Sequence, residues 1–369
     1  MGQGSGKLVH LRSKVWDGGN LKGTEVGPDR QYTVMDRIGG GNFGEVYEAS
    51  DTRSNEPVAI KFLPRGERLN GAYVTREVLN HKHLAHPHII RFREVFLSER
   101  HLCIVMDYAP GGNLAAYVHK RRSLSEDKAR WFFQQLILAV DYCHKQNIVI
   151  RDIKLANILL DEAQETIKLC DFGFSKDGRR DSPPQTYLGT GSYLPPEILV
   201  RSFSGSPFDQ VYDARWPGLP ESMNTCTMQK VDIWTCGIAL FVMLFGINPF
   251  YNPTDLGKSG KRRMYERMFN MKKVPRKPSR QKKPPLPVLS RDCRNFIARI
   301  LQPDPKARIT VKGIMEHPWF RKNLPPEFAG FNDALIKESD KYEVECEYGI
   351  QELVSLAKRA PDDLEEWDC

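Results

Sequence analysis

Short, largely apolar strand-like runs dominate the first third of the chain. Those at 32–38, 46–49, 57–62, 89–96 and 102–107 predict β-strands, and one helical stretch at 72–82 interrupts them. Beyond Gly111 the apolar period lengthens to that of a helix. Ser125 predicts a helix start, with Glu126 and Asp127 in the first turn and Phe132, Leu136, Ala139, Val140 and Cys143 on the apolar face. Residues 231–246 are apolar on nearly every side, which predicts a central buried helix. Further helices are expected at 291–301 and 310–317. The reading is an α+β fold, a small sheet-rich lobe followed by a larger helical one. Residues 1–31, rich in Gly and polar groups, read as a flexible leader.

Composition narrows the class. Of 369 residues 40% are hydrophobic and 27% charged, the balance of a globular chain rather than a disordered or fibrous one. The longest apolar run, 236–248, is shorter than the roughly 20 residues a membrane span needs, so no membrane partner is expected. Residues 1–14 show no apolar signal core, and the eight cysteines form no CxxC pair, which points to a reducing cytoplasm rather than a disulfide framework or zinc site. The net charge of +8 is strongly segregated. Residues 258–283 hold twelve Lys/Arg and one acid, and 333–369 hold twelve acids and four bases, so only +5 is left for the rest. The basic run reads first as a solvated face or loop, with nuclear import as the sharper alternative. Few aromatics interleave with it, so a nucleic-acid partner is not expected.

Candidate chemistry begins at Gly39-Gly40-Gly41-Asn42-Phe43-Gly44-Glu45-Val46, a G-x-G-x-x-G-x-V stretch. Glycines let backbone amides approach phosphate oxygens. Dinucleotide-binding proteins share the pattern, but here the loop leads into a strand instead of opening a helix. Val58-Ala59-Ile60-Lys61 places one lysine on an apolar strand, either as a snorkelling surface group or as a phosphate-binding ammonium, and Glu77 lies mid-helix where it could pair with it. The stretch Ile150-Arg151-Asp152-Ile153-Lys154-Leu155-Ala156-Asn157 embeds three polar side chains between apolar runs, and Asp171-Phe172-Gly173 follows. Such embedding is costly unless the groups act, and carboxylate and amide oxygens suit magnesium.

The order of these segments resembles that of the eukaryotic protein kinases of serine/threonine type. Pro195-Pro196-Glu197, Asp232-Ile233-Trp234 and Arg308 extend the match, which covers 32–320. Within that family the chain most resembles the plant sucrose-nonfermenting-related kinases of the osmotic-stress, abscisic-acid group. The stretches carrying this are Arg76-Glu77-Val78-Leu79-Asn80-His81, His101-Leu102-Cys103-Ile104-Val105-Met106-Asp107-Tyr108 and His317-Pro318-Trp319-Phe320.

The resemblance implies a bilobal kinase fold. Its domain would span 32–320, with an N-lobe at 32–110, a C-lobe at 111–320 and insertions at about 201–229 and 253–288. A regulatory C-terminal extension with an acidic tail would occupy 321–369. It implies ATP and Mg2+ as cofactors and transfer of the γ-phosphate to protein Ser/Thr hydroxyls. Asp152 would position the hydroxyl, Lys154 stabilise the transferring group, Lys61 paired with Glu77 hold phosphates, and Asn157 and Asp171 hold the metal. The nucleotide-contacting positions would be Ile38, Gly39, Gly40, Gly41, Asn42, Phe43, Gly44, Glu45, Val46, Ala59, Lys61, Met106, Asp107, Ala109 and Leu159. Lys154 and Gly189-Thr190 resemble serine/threonine rather than tyrosine kinases. The rival reading is a kinase-fold scaffold that acts by binding partners without catalysis.

Three departures bear on function. Ile150 stands where the family has histidine, which keeps packing but removes a hydrogen bond. Asn113 and Ala156 replace the glutamates with which related kinases pair an upstream substrate arginine, so a relaxed or different preference is expected. Residues 201–229 form an insertion, read as a gate, a dock or a tolerated loop. Arg151 is retained to clamp a phosphorylated activation loop, with Thr186 and then Ser182 as the expected acceptors of an upstream kinase. The tail segment 343–359 places Ile350, Leu353, Val354 and Ala357 on one helical face. The resemblance implies that this helix packs on the small lobe beside the Glu77 helix, and that the acidic residues after Pro361 bind a regulatory phosphatase. The expected state is a monomer.

Overall fold

A computed structural model of the chain describes residues 20–41, 44–67, 69–173, 175–177, 192–201, 225–252, 255, 257–269, 288–339 and 347–359. The chain divides into two compact units, one from Met1–Ala109 with Glu338–Cys369 and one from Pro110–Lys337.

The first unit is built on a six-stranded antiparallel sheet in the order β1-β2-β3-β4-β6-β5. Its strands are β1 (Glu25–Val26), β2 (Tyr32–Gly41), β3 (Gly44–Asp51), β4 (Pro57–Pro64), β5 (Phe92–Leu97) and β6 (His101–Asp107). Pairing of Tyr47 with Ile60 and of Ile60 with Val105 puts these side chains on one face, where Leu21, Tyr32, Val34, Phe62 and Phe96 complete a core. The alternate positions Val46, Lys61, Ala59 and Met106 therefore share the other face. Helix α1 (Gly71–Lys82) carries Glu77 to that face.

Residues 20–31 correct the expected leader. Leu21 is buried in the core, and β1 pairs with β2, because Leu21 and Val26 supply apolar cover that the polar composition around them hides. The strand expected at 89–96 starts at Phe92. Ile89 and Ile90 are buried instead in a turn, closed by the Ile89 amide on the His86 carbonyl and by the His81 ring on the Ile90 carbonyl at 2.6 Å.

The C-terminal helix Glu347–Ala357 packs on α1, β5 and β6 through buried Ile350, Val354 and Ala357. The Gly66 amide donates to the Ala357 carbonyl at 2.9 Å, and Arg65 donates to that of Leu356. A cation on the last carbonyls of a helix also meets the negative end of its dipole. The expected amphipathic helix is thus a structural part of the first unit.

The second unit is mostly helical: α2 (Leu114–Arg121), α3 (Glu126–Lys145), α4 (Pro196–Arg201), α5 (Thr225–Phe245), α6 (Gly257–Phe269), α7 (Arg291–Ile300), α8 (Val311–Glu316), α9 (Pro318–Arg321) and α10 (Phe331–Ser339). Short ladders β7 (Ile148–Val149) with β10 (Lys176–Asp177), and β8 (Ile158–Leu160) with β9 (Ile167–Leu169), carry the loops between them. Ser125 caps α3 by accepting the Lys128 amide. Helix α3 is buried far beyond its expected face, because Gln134 donates to the Phe320 and Lys322 carbonyls and Gln135 bridges the backbone of Glu165 and Ile167. These glutamines look like solvent positions in sequence and are satisfied core positions in the fold.

Helix α5 is long and apolar enough to cross a membrane by length and composition, but 78% of its window Met228–Phe245 is buried within the protein. Its first residues, 225–229, belong to the helix rather than to the expected insertion. Part of the basic run is also ordered: α6 buries Met264 and Met268, four residues apart, while Arg263 and Arg267 converge on the nearly buried Asp255 carboxylate. Residues 202–224 and 270–287 lie outside the described residues. The expected extension from 321 is shared between the units. In the second, α10 is fixed to α3 by Asn332 on the Leu138 carbonyl and by Asp333 on Lys145.

A pH dependence follows for the first unit. His101 is buried edge-on to Phe62, and burial, helped by Arg100, lowers its pKa from 6.5 to about 4. Between these values the unfolded chain binds a proton that the folded one does not. Stability is therefore full above pH 6.5 and falls toward pH 4, with a slope of up to about 1.4 kcal/mol per pH unit. Urea unfolding across this window should show that slope, and His101→Phe should remove it.

Candidate active site

In the first unit the β2–β3 hairpin brings Gly39 opposite Val46, Gly40 opposite Glu45 and Gly41 opposite Gly44. Gly44 has φ +135°, and a Cβ there would meet the Phe62 carbonyl oxygen at 2.2 Å, so only glycine fits. Ile38 is exposed and Val46 half-buried on this hairpin. Asn42 and Phe43 lie outside the described residues. On β4, Lys61 reaches Glu77 at 2.5 Å, with both side chains largely buried. Ala59 pairs with Met106 across β4 and β6. The Asp107 carboxylate accepts from Arg93 at 2.7 Å, and the Asp107 amide donates to the Arg91 carbonyl, so the segment toward the buried Ala109 is anchored at its start.

In the second unit the strand β7 leads into Ile150-Arg151-Asp152. The carboxylate of Asp232, wholly buried on α5, accepts the Ile150 amide at 2.9 Å, the Arg151 amide at 2.8 Å and the His144 ring at 2.8 Å. Arg151 takes φ +72°, a left-handed backbone held by these bonds. The loop then turns Asp152 inward, where Lys154 Nζ contacts Oδ2 at 2.6 Å and the Asn157 amide nitrogen donates to both the Asp152 carbonyl and Oδ2. Ile150 and Phe172 are both fully buried, so the isoleucine fills the apolar interior.

Asn157 sits in a short 3-10 turn, Leu155–Asn157, and its carbonyl accepts the Cys170 amide at 2.9 Å. This bond fixes Asp171 in the next position, with φ +66° and Oδ1 accepting the Gly173 amide. Because the Asn157 nitrogen is spent on Asp152, its oxygen is the atom offered outward. That oxygen and the Asp171 carboxylate are hard oxygen donors of the kind magnesium takes, and they are the residues here that would hold it. Among the described residues no three His, Cys, Asp or Glu groups converge as a metal site by themselves. Leu159 lies on β8, and Asn113, paired with it across an isolated bridge, caps α2 by accepting the Ala116 amide. Ala156 is exposed. Thr186 and Ser182 lie outside the described residues.

Behind the loop, Glu197 and Arg308 form a fully buried bidentate pair at 2.7 and 2.9 Å. The Arg308 guanidinium also donates to the carbonyls of Lys230, Gln302 and Pro303 and lies over the Trp234 ring. Sequence motifs named Glu197, Asp232 and Arg308. They did not name His144 or the carbonyls around Arg308, whose only signal is polar residues ending or interrupting apolar helices.

Residues 32–320 match the protein kinase domain. The chain belongs to the protein kinase family, and its sheet unit and helical unit are those of the bilobal α+β kinase fold. It is a serine/threonine-protein kinase. It is 37% identical over 336 residues to serine/threonine-protein kinase SAPK7 of Oryza sativa subsp. japonica, spanning 90% of this chain and 84% of that one. To serine/threonine-protein kinase SRK2E of Arabidopsis thaliana it is 38% identical over 314 residues, 84% of this chain and 78% of the relative. To SAPK1 of Oryza sativa subsp. japonica it is 41% identical over 298 residues, 80% and 78% of the two chains.

Removing one partner of the buried pair should be costly. Arg308→Met leaves the Glu197 carboxylate uncompensated and should lower stability by about 3–5 kcal/mol in urea unfolding. Glu197→Leu combined with Arg308→Met should recover part of that loss.

Proposed function

We propose that this kinase uses ATP and magnesium to phosphorylate serine and threonine hydroxyls of protein substrates. The observation that carries the reading is the Asp152–Lys154–Asn157 cluster held at 2.6–3.1 Å beside Asp171. Bound ATP supplies the phosphoryl group, and magnesium neutralises the phosphate oxygens. The chain's own residues do the rest. Asp152 orients the substrate hydroxyl and accepts its proton, Lys154 offsets charge on the group in transfer, and Asn157 and Asp171 contribute the metal's oxygen ligands.

In the first unit, Lys61, aimed by Glu77, contacts phosphates together with the amides of residues 39–44. The adenine is proposed to contact Ile38, Val46, Ala59, Met106, Asp107 and Ala109 of this unit. Thr186, then Ser182, are the proposed activation-loop acceptors of an upstream kinase. The curated relatives, with the stress-group stretches, support a role in stress or nutrient-deprivation signalling.

Asp152→Asn should lower kcat by at least about 100-fold while leaving ATP binding within about threefold. A radiometric assay on a degenerate Ser/Thr peptide library checks this, and unchanged turnover would remove the assignment. Neither Asn113 nor Ala156 carries a carboxylate, so the library should show no dominant upstream arginine. In the same assay, Thr186→Ala should reduce the activity of protein isolated from stimulated cells; equal activity would discard that site.

A further inference from the structure

Three consecutive cations, Lys120, Arg121 and Arg122, follow His119 at the end of α2, and all four residues are exposed. Among the described residues none of them has a carboxylate partner. Neighbouring cations are already engaged: Lys128 with Glu165 at 2.6 Å, and Arg130 with Glu126 and Asp127. The dipole of α2 favours cations in its last turn but gives them only a partial counter-charge.

The support under this charge is fixed. Arg122 takes φ +66°, and its carbonyl lies so close to Gly246 that a Cβ there would meet it at 1.8 Å. The Leu124 amide donates to the Met243 carbonyl at 2.8 Å, and the Arg121 guanidinium stacks 3.6 Å from the Tyr117 ring centroid. Preorganised charge loses little side-chain entropy when it meets a partner.

The other end of α2 is stitched to the catalytic segment. The Gly111 amide donates to the Leu160 carbonyl at 3.0 Å, the Leu160 amide to that of Gly112 at 2.8 Å, and α2 packs on the turn carrying Asn157. Eight helical residues span about 12 Å, a distance covered by about four residues of extended peptide. A substrate whose hydroxyl lies at Asp152 therefore passes the cationic turn only with residues well removed from its acceptor.

We propose that residues 119–122 dock an Asp/Glu-rich segment of the protein substrate, about four or more residues from the phosphoacceptor. This rests on the kinase reading above, since Asp152 sets the position of the acceptor. Asn113, at the start of the same helix, uses its side chain as a cap and offers no carboxylate to a substrate arginine. Both ends of α2 therefore lack the acidic groups that would favour a basic substrate.

The test uses the full chain and one serine peptide in three forms: neutral flanks, four glutamates placed four residues before the acceptor, and four placed four residues after it. One acidic form should show a KM about tenfold lower at unchanged kcat, a gain that fades as salt rises from about 0.05 to 0.5 M. Lys120→Glu with Arg121→Gln and Arg122→Asn should bring the KM ratio to about one, asparagine being tolerant of the left-handed backbone. Lys120→Glu alone, which leaves the turn's packing in place, should lose part of the ratio. Equal KM for all three peptides in the wild type, or a ratio kept in the triple variant at wild-type melting temperature, would overturn the proposal. Fluorescence anisotropy of the labelled acidic peptide without nucleotide reads docking separately from transfer. Docking without phosphorylation would count against the kinase reading alone.

Discussion

The catalytic loop depends on one buried carboxylate. Asp232 is wholly removed from water, and each of its oxygens accepts a backbone amide of the loop, Ile150 on one and Arg151 on the other. Burying an ionised carboxylate costs several kcal/mol unless hydrogen bonds replace its water. Here two amides and the His144 ring do so. The apolar surface of α5 carries Asp232 to that position, and Asp232 holds the two successive amides that lead into the left-handed turn at Arg151. Asp152 is aimed at Lys154 and Asn157 as a consequence.

Each unit thus solves its own positioning problem with a charged pair. In the sheet unit, antiparallel register puts Lys61 on the face that α1 covers, and Glu77 meets it there. In the helical unit, Glu197 and Arg308 tie α4 to the segment before α8. Buried pairs of this kind add little net stability compared with apolar packing. Their value lies in specifying one geometry, since a bidentate guanidinium with three further carbonyl partners has a single satisfied orientation.

The candidate site residues stood out in the sequence because they are local: Lys61 on its strand, Asp152 to Asn157 within six positions, Asp171 before Phe172 and Gly173. Regular elements with strong periodicity were legible as well, including the C-terminal helix with Ile350, Val354 and Ala357. What escaped was tertiary. The two-residue strand Glu25–Val26 has no period to read, and Leu21 is a lone apolar residue whose burial needs the sheet in place. In α6 a dense cationic composition hid the two buried methionines. Gln134 and Gln135 looked solvated because their partners are backbone carbonyls and an amide contributed by distant segments. His144 became a site-supporting residue only once α5 placed Asp232 beside it.

The most direct test of the loop's dependence on Asp232 is turnover of the Asp232→Asn protein on a peptide substrate, measured beside its urea unfolding curve. An amide keeps the shape but replaces one accepting oxygen with a donor, so at least one of the three bonds must be lost. Turnover should fall more than about tenfold, with stability lower by about 2 kcal/mol and unfolding still cooperative. A folded Asp232→Asn protein with wild-type kcat would contradict the account.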